Sequence, residues 1–304
     1  MLNRFTILLL LCTLSGALVN SVHAGECNYE WTKSALRSAC TGIAKELQEI
    51  KEQDTINVVV TAVGTGAAGG ALYAGIKRSD INKKIAELDK QMADIKNMSN
   101  ADFVRFLKNL AALEEAKTQL NSICSQKRQL QAQAKKLGNW RTGLMVGNTA
   151  TAVAGTIISG KNEQDSGDIK EMIQNCLDTI NKQKQNIGQA QIDCSPTVSQ
   201  TLQTVINECG KMSTAHMDKV SKNSNTSKIV SAVNIGTGLA GTVTSAVANS
   251  KNTPNPKADK AANIFAGTSA VASGTSTVFN AITLKAINDN LKSATACEEA
   301  IYKL

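Results

Sequence analysis

Aromatic side chains make up only 3% of this 304-residue chain, and it contains three prolines and two histidines. The paucity of aromatics argues against an aromatic-rich sandwich or barrel, and the composition excludes collagen-like, disulfide-dense miniprotein and disordered classes. All three prolines lie at or beyond Pro196, so a long stretch lacks the residue that most reliably breaks helices. One histidine, His23, falls in an N-terminal processing segment, leaving His216 as the sole later imidazole. With no CxxC pair either, no zinc site is expected. A Ser-His-Asp or Cys-His constellation would have to use His216, which sits on an apolar stripe with Val205, Cys209 and Met212 and reads as a structural residue. The acid pairs Glu114-Glu115 and Glu298-Glu299 read as solvated helix faces. No catalytic, cofactor-binding or metal-ligating residue, no cofactor and no small-molecule substrate is expected.

Residues 1–24 carry the marks of a cleaved signal peptide: Arg4, the apolar run Thr6 to Leu11, and Val22-His23-Ala24 before Gly25. The apolar core is too short to span a bilayer. The expectation is an exported chain, periplasmic, in the cell envelope or extracellular. Lys and Arg number 33 against 25 acids, a net +8, which becomes +7 when Arg4 leaves. The surplus is spread thinly, in clusters such as Lys83-Lys84, Lys135-Lys136 and Lys257 to Lys260 without interleaved aromatics, so nucleic acid is not an expected partner.

Export makes disulfides permissible. Beyond Cys12 in the leader there are seven cysteines, so at least one is unpaired within the chain. Cys176 and Cys209 lie at nearly equal distances from a turn centred near residue 193, and both occupy stripe positions. They are expected to pair, with Cys27 and Cys124 as a weaker second pair.

Two kinds of segment alternate. The first is polar with apolar residues stepping by three and four: Leu36 to Ile50, Ile81 to Ile95, Phe106 to Ile123, Ile169 to Ile187 and Val198 to His216. Each gives a helix one narrow stripe that only another helix can cover. Asn97 to Asn100 and Asp193 to Pro196 supply turns for antiparallel hairpins. The second kind is uncharged and rich in Gly, Ala, Ser and Thr: residues 57–76, 142–160, 229–250 and 261–284. These are internal copies, with Gly64-Thr-Gly-Ala-Ala-Gly69 recurring as Gly236-Thr-Gly-Leu-Ala-Gly241. Close helix packing is expected at Gly64, Gly66, Gly70, Gly143, Gly147, Gly155, Gly236, Gly241, Gly267 and Gly274.

Two motifs invite a nucleotide reading and fail it. Gly64-x-Gly66-x-x-Gly69 follows a strand-like run, yet a charged heptad helix follows where a second strand would be required. Gly155 to Asn162 approaches a P-loop, but Asn162 stands where a hydroxyl would hold magnesium. Gly160 is better read as closing a helix, with Lys161 facing its negative end.

The expected fold is all-α, elongated, with a central small-residue helix bundle and antiparallel coiled-coil-like hairpin arms. Helices are placed near 30–52, 55–98, 101–137, 141–160, 167–190, 196–221, 226–250 and 258–300, and a hairpin loop near 250–256. An N-terminal lobe over 25–160 and a C-terminal lobe over 161–304 would each carry one arm. The function expected first is a non-enzymatic exported module, structural or partner-binding, with a protein partner or self-association. The alternative is a membrane-active protein, a pore former or envelope-inserted factor, using the four small-residue helices at a membrane surface or within it.

Overall fold

The computed structural model describes residues 29–96, 110–189, 196–250 and 255–304, and among these the fold is all-α. Six helices follow in order: α1 Tyr29–Cys40, α2 Ile43–Lys96, α3 Leu110–Gln189, α4 Pro196–Cys209, α5 Thr214–Ser250 and α6 Pro256–Tyr302. The expected turns at 97–100 and 193–195 and the 1–24 leader lie outside the described residues.

Several expected breaks are absent. Helix α2 runs through residues 53–54, and α3 runs through Gly138, Gly160 and Gly167 without interruption. Gly160 therefore closes nothing. The cost of a mid-helix glycine, about 1 kcal/mol against alanine, is small beside the packing that a continuous stripe provides. The stripe explains the continuity. Buried positions along α3 fall at 134, 138, 141, 145, 148, 152, 155, 159, 162, 166, 169, 173, 176, 180 and 183, alternating steps of three and four throughout. The same stepping continues along α2, α5 and α6. The polar and small-residue segments are thus one heptad pattern with two kinds of occupant.

One unexpected break falls at Gly210 to Ser213, between α4 and α5. The Asn290 amide bridges it: Ser213 N–H donates to Oδ1 at 3.0 Å, and Nδ2 donates to the Ser213 carbonyl at 2.9 Å. This shifts the stripe, so Met217 rather than His216 is fully buried; His216 is half-buried with an unpartnered Nδ1. A second break, between α1 and α2, uses Gly42 at φ 90°, a left-handed conformation that glycine adopts without a side-chain clash. The Glu298 carboxylate accepts from the N–H groups of Gly42 and Ala44 at 2.9 and 3.1 Å, capping α2. Solvation alone does not account for Glu298.

The chain divides into two compact units. Of the described residues, unit 1 comprises those up to Lys51, within Asp165–Lys219 and within Lys285–Leu304, and unit 2 comprises those within Glu52–Gln164 and Val220–Leu284. Both draw on both halves of the sequence, so a division at residue 160 does not describe them. The segments 165–189 and 196–219, expected as a projecting arm, belong to the body of unit 1 with α1 and the end of α6. In unit 2, α2 and α3 extend as an antiparallel pair in which Lys127 bonds Asp89 and Cys124 meets Met92.

Candidate functional site: a bundle of reversed polarity

Unit 1 has an ordinary interior. Its buried stripe carries Leu36, Leu47, Ile50, Ile169, Ile173, Ile180, Leu202, Val205, Ile287 and Ile301. It also carries Cys40, Cys176, Cys209 and Cys297, one from each of α1, α3, α4 and α6. The disulfides join Cys40 to Cys176 and Cys209 to Cys297. The expected Cys176–Cys209 pair is replaced. Level-counting correctly brought those two sulfurs together, but α1 and α6 deliver two more cysteines to the same level. Cys27 lies outside the described residues, and Cys124 is a free, exposed thiol.

Unit 2 is built the other way round. The same stripe positions bury Asn57, Thr61, Asn148, Ser159, Asn162, Ser227, Ser231, Asn234, Ser245, Ser269, Ser273, Ser276, Asn280 and Thr283. Alanine and glycine occupy most of the rest, and Ala71, Met145 and Ala266 form a small apolar cluster. These polar groups form a ladder across the four helices. Asn57 donates to Ser159 at 2.9 Å, Ser159 to Ser227 at 3.3 Å, and Ser276 bonds both Ser227 and Ser231 at 2.6 and 3.1 Å. Farther along, Asn148 Nδ2 donates to Asn234 at 3.0 Å and Ser269 at 2.7 Å, while Asn234 Nδ2 and Ser273 close the ring. The bonds that these groups make to one another are what makes such a core tolerable, while Asn57 Oδ1, Asn162 Oδ1 and Ser245 Oγ are buried without a partner.

The large apolar side chains face outward. Every exposed one in the described chain except Tyr302 belongs to unit 2. They run from Ile56 to Ile76 on α2, Trp140 to Ile157 on α3, Ile229 to Val247 on α5 and Ile264 to Ile282 on α6. Ile157, Val243 and Val271 are 68%, 62% and 71% exposed. At 1.5 Å rise per residue each run is about 26–30 Å long. That is the thickness of a bilayer's hydrocarbon core, about 30 Å. Within residues 57–76, 142–160, 229–250 and 261–284 there is no charged residue.

Charge collects just outside these spans. At one end Asp259 Oδ1 accepts from Arg141 at 2.8 Å, lies 3.3 Å from Arg78 Nε, and Oδ2 accepts from Asn82 at 2.8 Å. Arg78 also donates to Asn249 and to the Ala248 carbonyl. Burial, with Arg141 adding repulsion, lowers the Arg78 pKa against the pull of Asp259. Tyr73 and Trp140 are exposed at this end, and Lys77 stands 5.7 Å from the Tyr73 ring. A cleft of about 710 Å³ lined by Ser79, Asn82, Lys83, Asp259, Lys260 and Ile264 opens beside the cluster. At the other end Asn162 donates to Asp54 at 3.1 Å, and Lys228 pairs with Glu163 at 2.5 Å. Asp54 is 1% exposed, and burial pushes its pKa up to about 7.

The glycines divide. A Cβ at Gly64 would run into Thr151, at Gly241 into Met145, and at Gly70 and Gly155 would press Leu144 and Thr61 at 3.1 and 3.2 Å. At Gly274 it would meet only ordinary contact, Thr65 at 3.9 Å, and at Gly66, Gly143, Gly147, Gly236 and Gly267 it would meet nothing. Those five do not mark close packing. Gly75, Gly138 and Gly238 do, against Asn263, Arg78 and Thr149, and the sequence reading missed them. Counting stripe positions from Thr61 along α2 would have found Gly75. The repeated motif also turns differently in its two copies: Gly64 is buried whereas Gly236 is exposed.

Comparison with protein-family models, with curated proteins and with solved structures finds no match. The functional reading rests on the chain's own geometry.

Proposed function

We propose that this is an exported, non-enzymatic helical protein whose unit 2 resides in a lipid bilayer as a four-helix span, with the disulfide-bonded unit 1 as its water-soluble part. The observation that carries this reading is the reversal of polarity over a charge-free length of about 26–30 Å. In water, an exposed Val or Ile forfeits roughly 1 kcal/mol of burial, and a whole belt of them is a standing liability. In lipid the belt is matched to its surroundings, and interior Asn and Ser become the groups that hold helices together. Exposed Tyr73 and Trp140 at one edge suit an interfacial position. Among the described residues, two helical stretches, within Thr32–Asp94 and Ser199–Ser250, are long and apolar enough to cross a membrane by length and composition, and their most apolar parts are only 33% and 28% buried. A soluble core helix of that kind would be mostly buried. The polar interior makes a pore former or an envelope-inserted factor the fitting class.

Cleavage after Ala24 and an oxidising, exported location fit the two disulfides among the described residues. The second reading is a protein partner, or a second copy, seated on the apolar belt. Vesicle flotation of the full chain separates the two. Salt-resistant and carbonate-resistant flotation is expected. A monodisperse oligomer in plain buffer that never floats would favour the partner reading and overturn the membrane one.

A further inference from the structure

The geometry points to a second state for the four-cysteine cluster of unit 1: when reduced, Cys40, Cys176, Cys209 and Cys297 form a tetrathiolate site for one soft divalent metal ion of the zinc class. All four side chains are fully buried, and their sulfurs lie within 4.8 Å of one another. Two parallel disulfides need only two close pairs. Here the two pairs also adjoin, so four ligand atoms share one small volume. A tetrahedral site with metal–sulfur bonds of about 2.3 Å holds its sulfurs about 3.8 Å apart. Opening the bonded pairs, and drawing inward by about 1 Å cross pairs that are at most 4.8 Å apart, would reach that spacing.

Each sulfur comes from a different helix, so no CxxC spacing announces the site in the sequence. The same fact gives the site its effect. Either cross-link, two disulfides or one metal, fastens α1, α3, α4 and α6 at one level.

Two equivalents of a dithiol reductant of the thioredoxin class give four electrons and four protons, converting two disulfides to four thiols while two disulfides form on the reductant. The divalent ion then displaces four thiol protons to give the tetrathiolate.

The test uses the full purified chain, reduced anaerobically with a phosphine and then titrated with Co²⁺ as a spectroscopic probe. Expected are one cobalt per chain, ligand-field bands of tetrahedral intensity, thiolate-to-cobalt charge transfer, displacement by Zn²⁺, and alkylation of four thiols slowed at least about tenfold by Zn²⁺. Cys124→Ser should change none of these, whereas Cys176→Ser should abolish the charge-transfer band. Because Cys176→Ser can unfold, helicity by circular dichroism of the reduced wild-type chain is followed in parallel. Octahedral cobalt spectra, equal alkylation with and without Zn²⁺, or helix loss on reduction that metal fails to restore each overturns the proposal. Equal metal uptake by the unreduced chain overturns it too. None of these outcomes bears on whether unit 2 enters lipid.

Discussion

Asn148 and Asn234 face one another in the interior of unit 2, Asn148 Nδ2 donating to Asn234 Oδ1 at 3.0 Å and Asn234 Nδ2 returning to Asn148 Oδ1 at 3.4 Å. Ser269 and Ser273 complete their bonding, and all four side chains are buried. Two amides at the centre of a bundle, where Leu or Ile would ordinarily stand, specify register and partner at a cost in stability. Asn148→Ala removes the bonds to Asn234, Ser269 and Ser273, which keep only those they make to one another. A loss of about 1–3 kcal/mol is expected in reversible unfolding, and a double-mutant cycle with Asn234→Ala should show coupling of about 0.5–2 kcal/mol. Additive losses would mean the pair does not act as a unit.

Val243 sits mid-belt and 62% exposed. On a water-facing surface Val243→Lys would be worth no more than about 0.5 kcal/mol either way. Facing hydrocarbon it should cost about 2.5–3.5 kcal/mol. We expect Val243→Lys to weaken vesicle flotation sharply while the Cys40–Cys176 and Cys209–Cys297 bridges still form. Unchanged flotation would remove the belt from the bilayer.

The disulfides make a separate prediction. Peptide mapping of unreduced protein should recover Cys40 with Cys176 and Cys209 with Cys297, closing separations of 136 and 88 residues. By the chain-entropy model each such loop is worth about 4–5 kcal/mol, so reduction without metal should lower the thermal midpoint of unit 1 markedly. A Cys176–Cys209 peptide would show that neighbouring sulfurs had exchanged partners.

Asp54 supplies a pH dependence. Its folded pKa of about 7 lies above the ordinary 3.8, because burial penalises the carboxylate more than the Asn162 bond favours it. For an acid with a raised folded value, the folded state binds more protons. The penalty is therefore absent below pH 3.8 and grows as pH rises, levelling off above about 7. It amounts to about 4 kcal/mol at most. Asp54→Asn should stabilise unit 2 at pH 8 and leave its stability nearly unchanged at pH 4. Equal effects at both pH values would contradict a neutral, buried carboxyl.

Two sets of glycine substitutions should behave oppositely. Gly138→Ala would drive a methyl against the Arg78 guanidinium and Gly75→Ala against Asn263, so thermal unfolding should detect a loss of about 1–3 kcal/mol in each. Gly66→Ala and Gly147→Ala meet open space and should stabilise their helices by about 0.5–1 kcal/mol.

Much of this is legible in the sequence. The step of three and four from Ile169 to Ile187, the charge-free segments and the scarcity of proline determine long helices with one buried stripe each, because a 3.6-residue turn admits no other reading of that spacing. What local pattern left open was whether the breaks near residues 53, 138 and 160 end a helix. Tertiary packing carried each helix through them, since Asp54, Gly138 and Ser159 occupy stripe positions. The sequence also placed Cys176 and Cys209 at one level, whereas only the meeting of four helices decided that each bonds a different neighbour. The polarity of unit 2 was the least legible feature. A segment such as 229–250 presents Ser231, Asn234 and Ser245 on one face and Ile229, Val233 and Val243 on another, both at helical spacing. Periodicity says that the faces differ. Which one turns inward depends on the other three helices, whose small residues bring the backbones close enough for amides and hydroxyls to satisfy one another, leaving the branched apolar side chains outside.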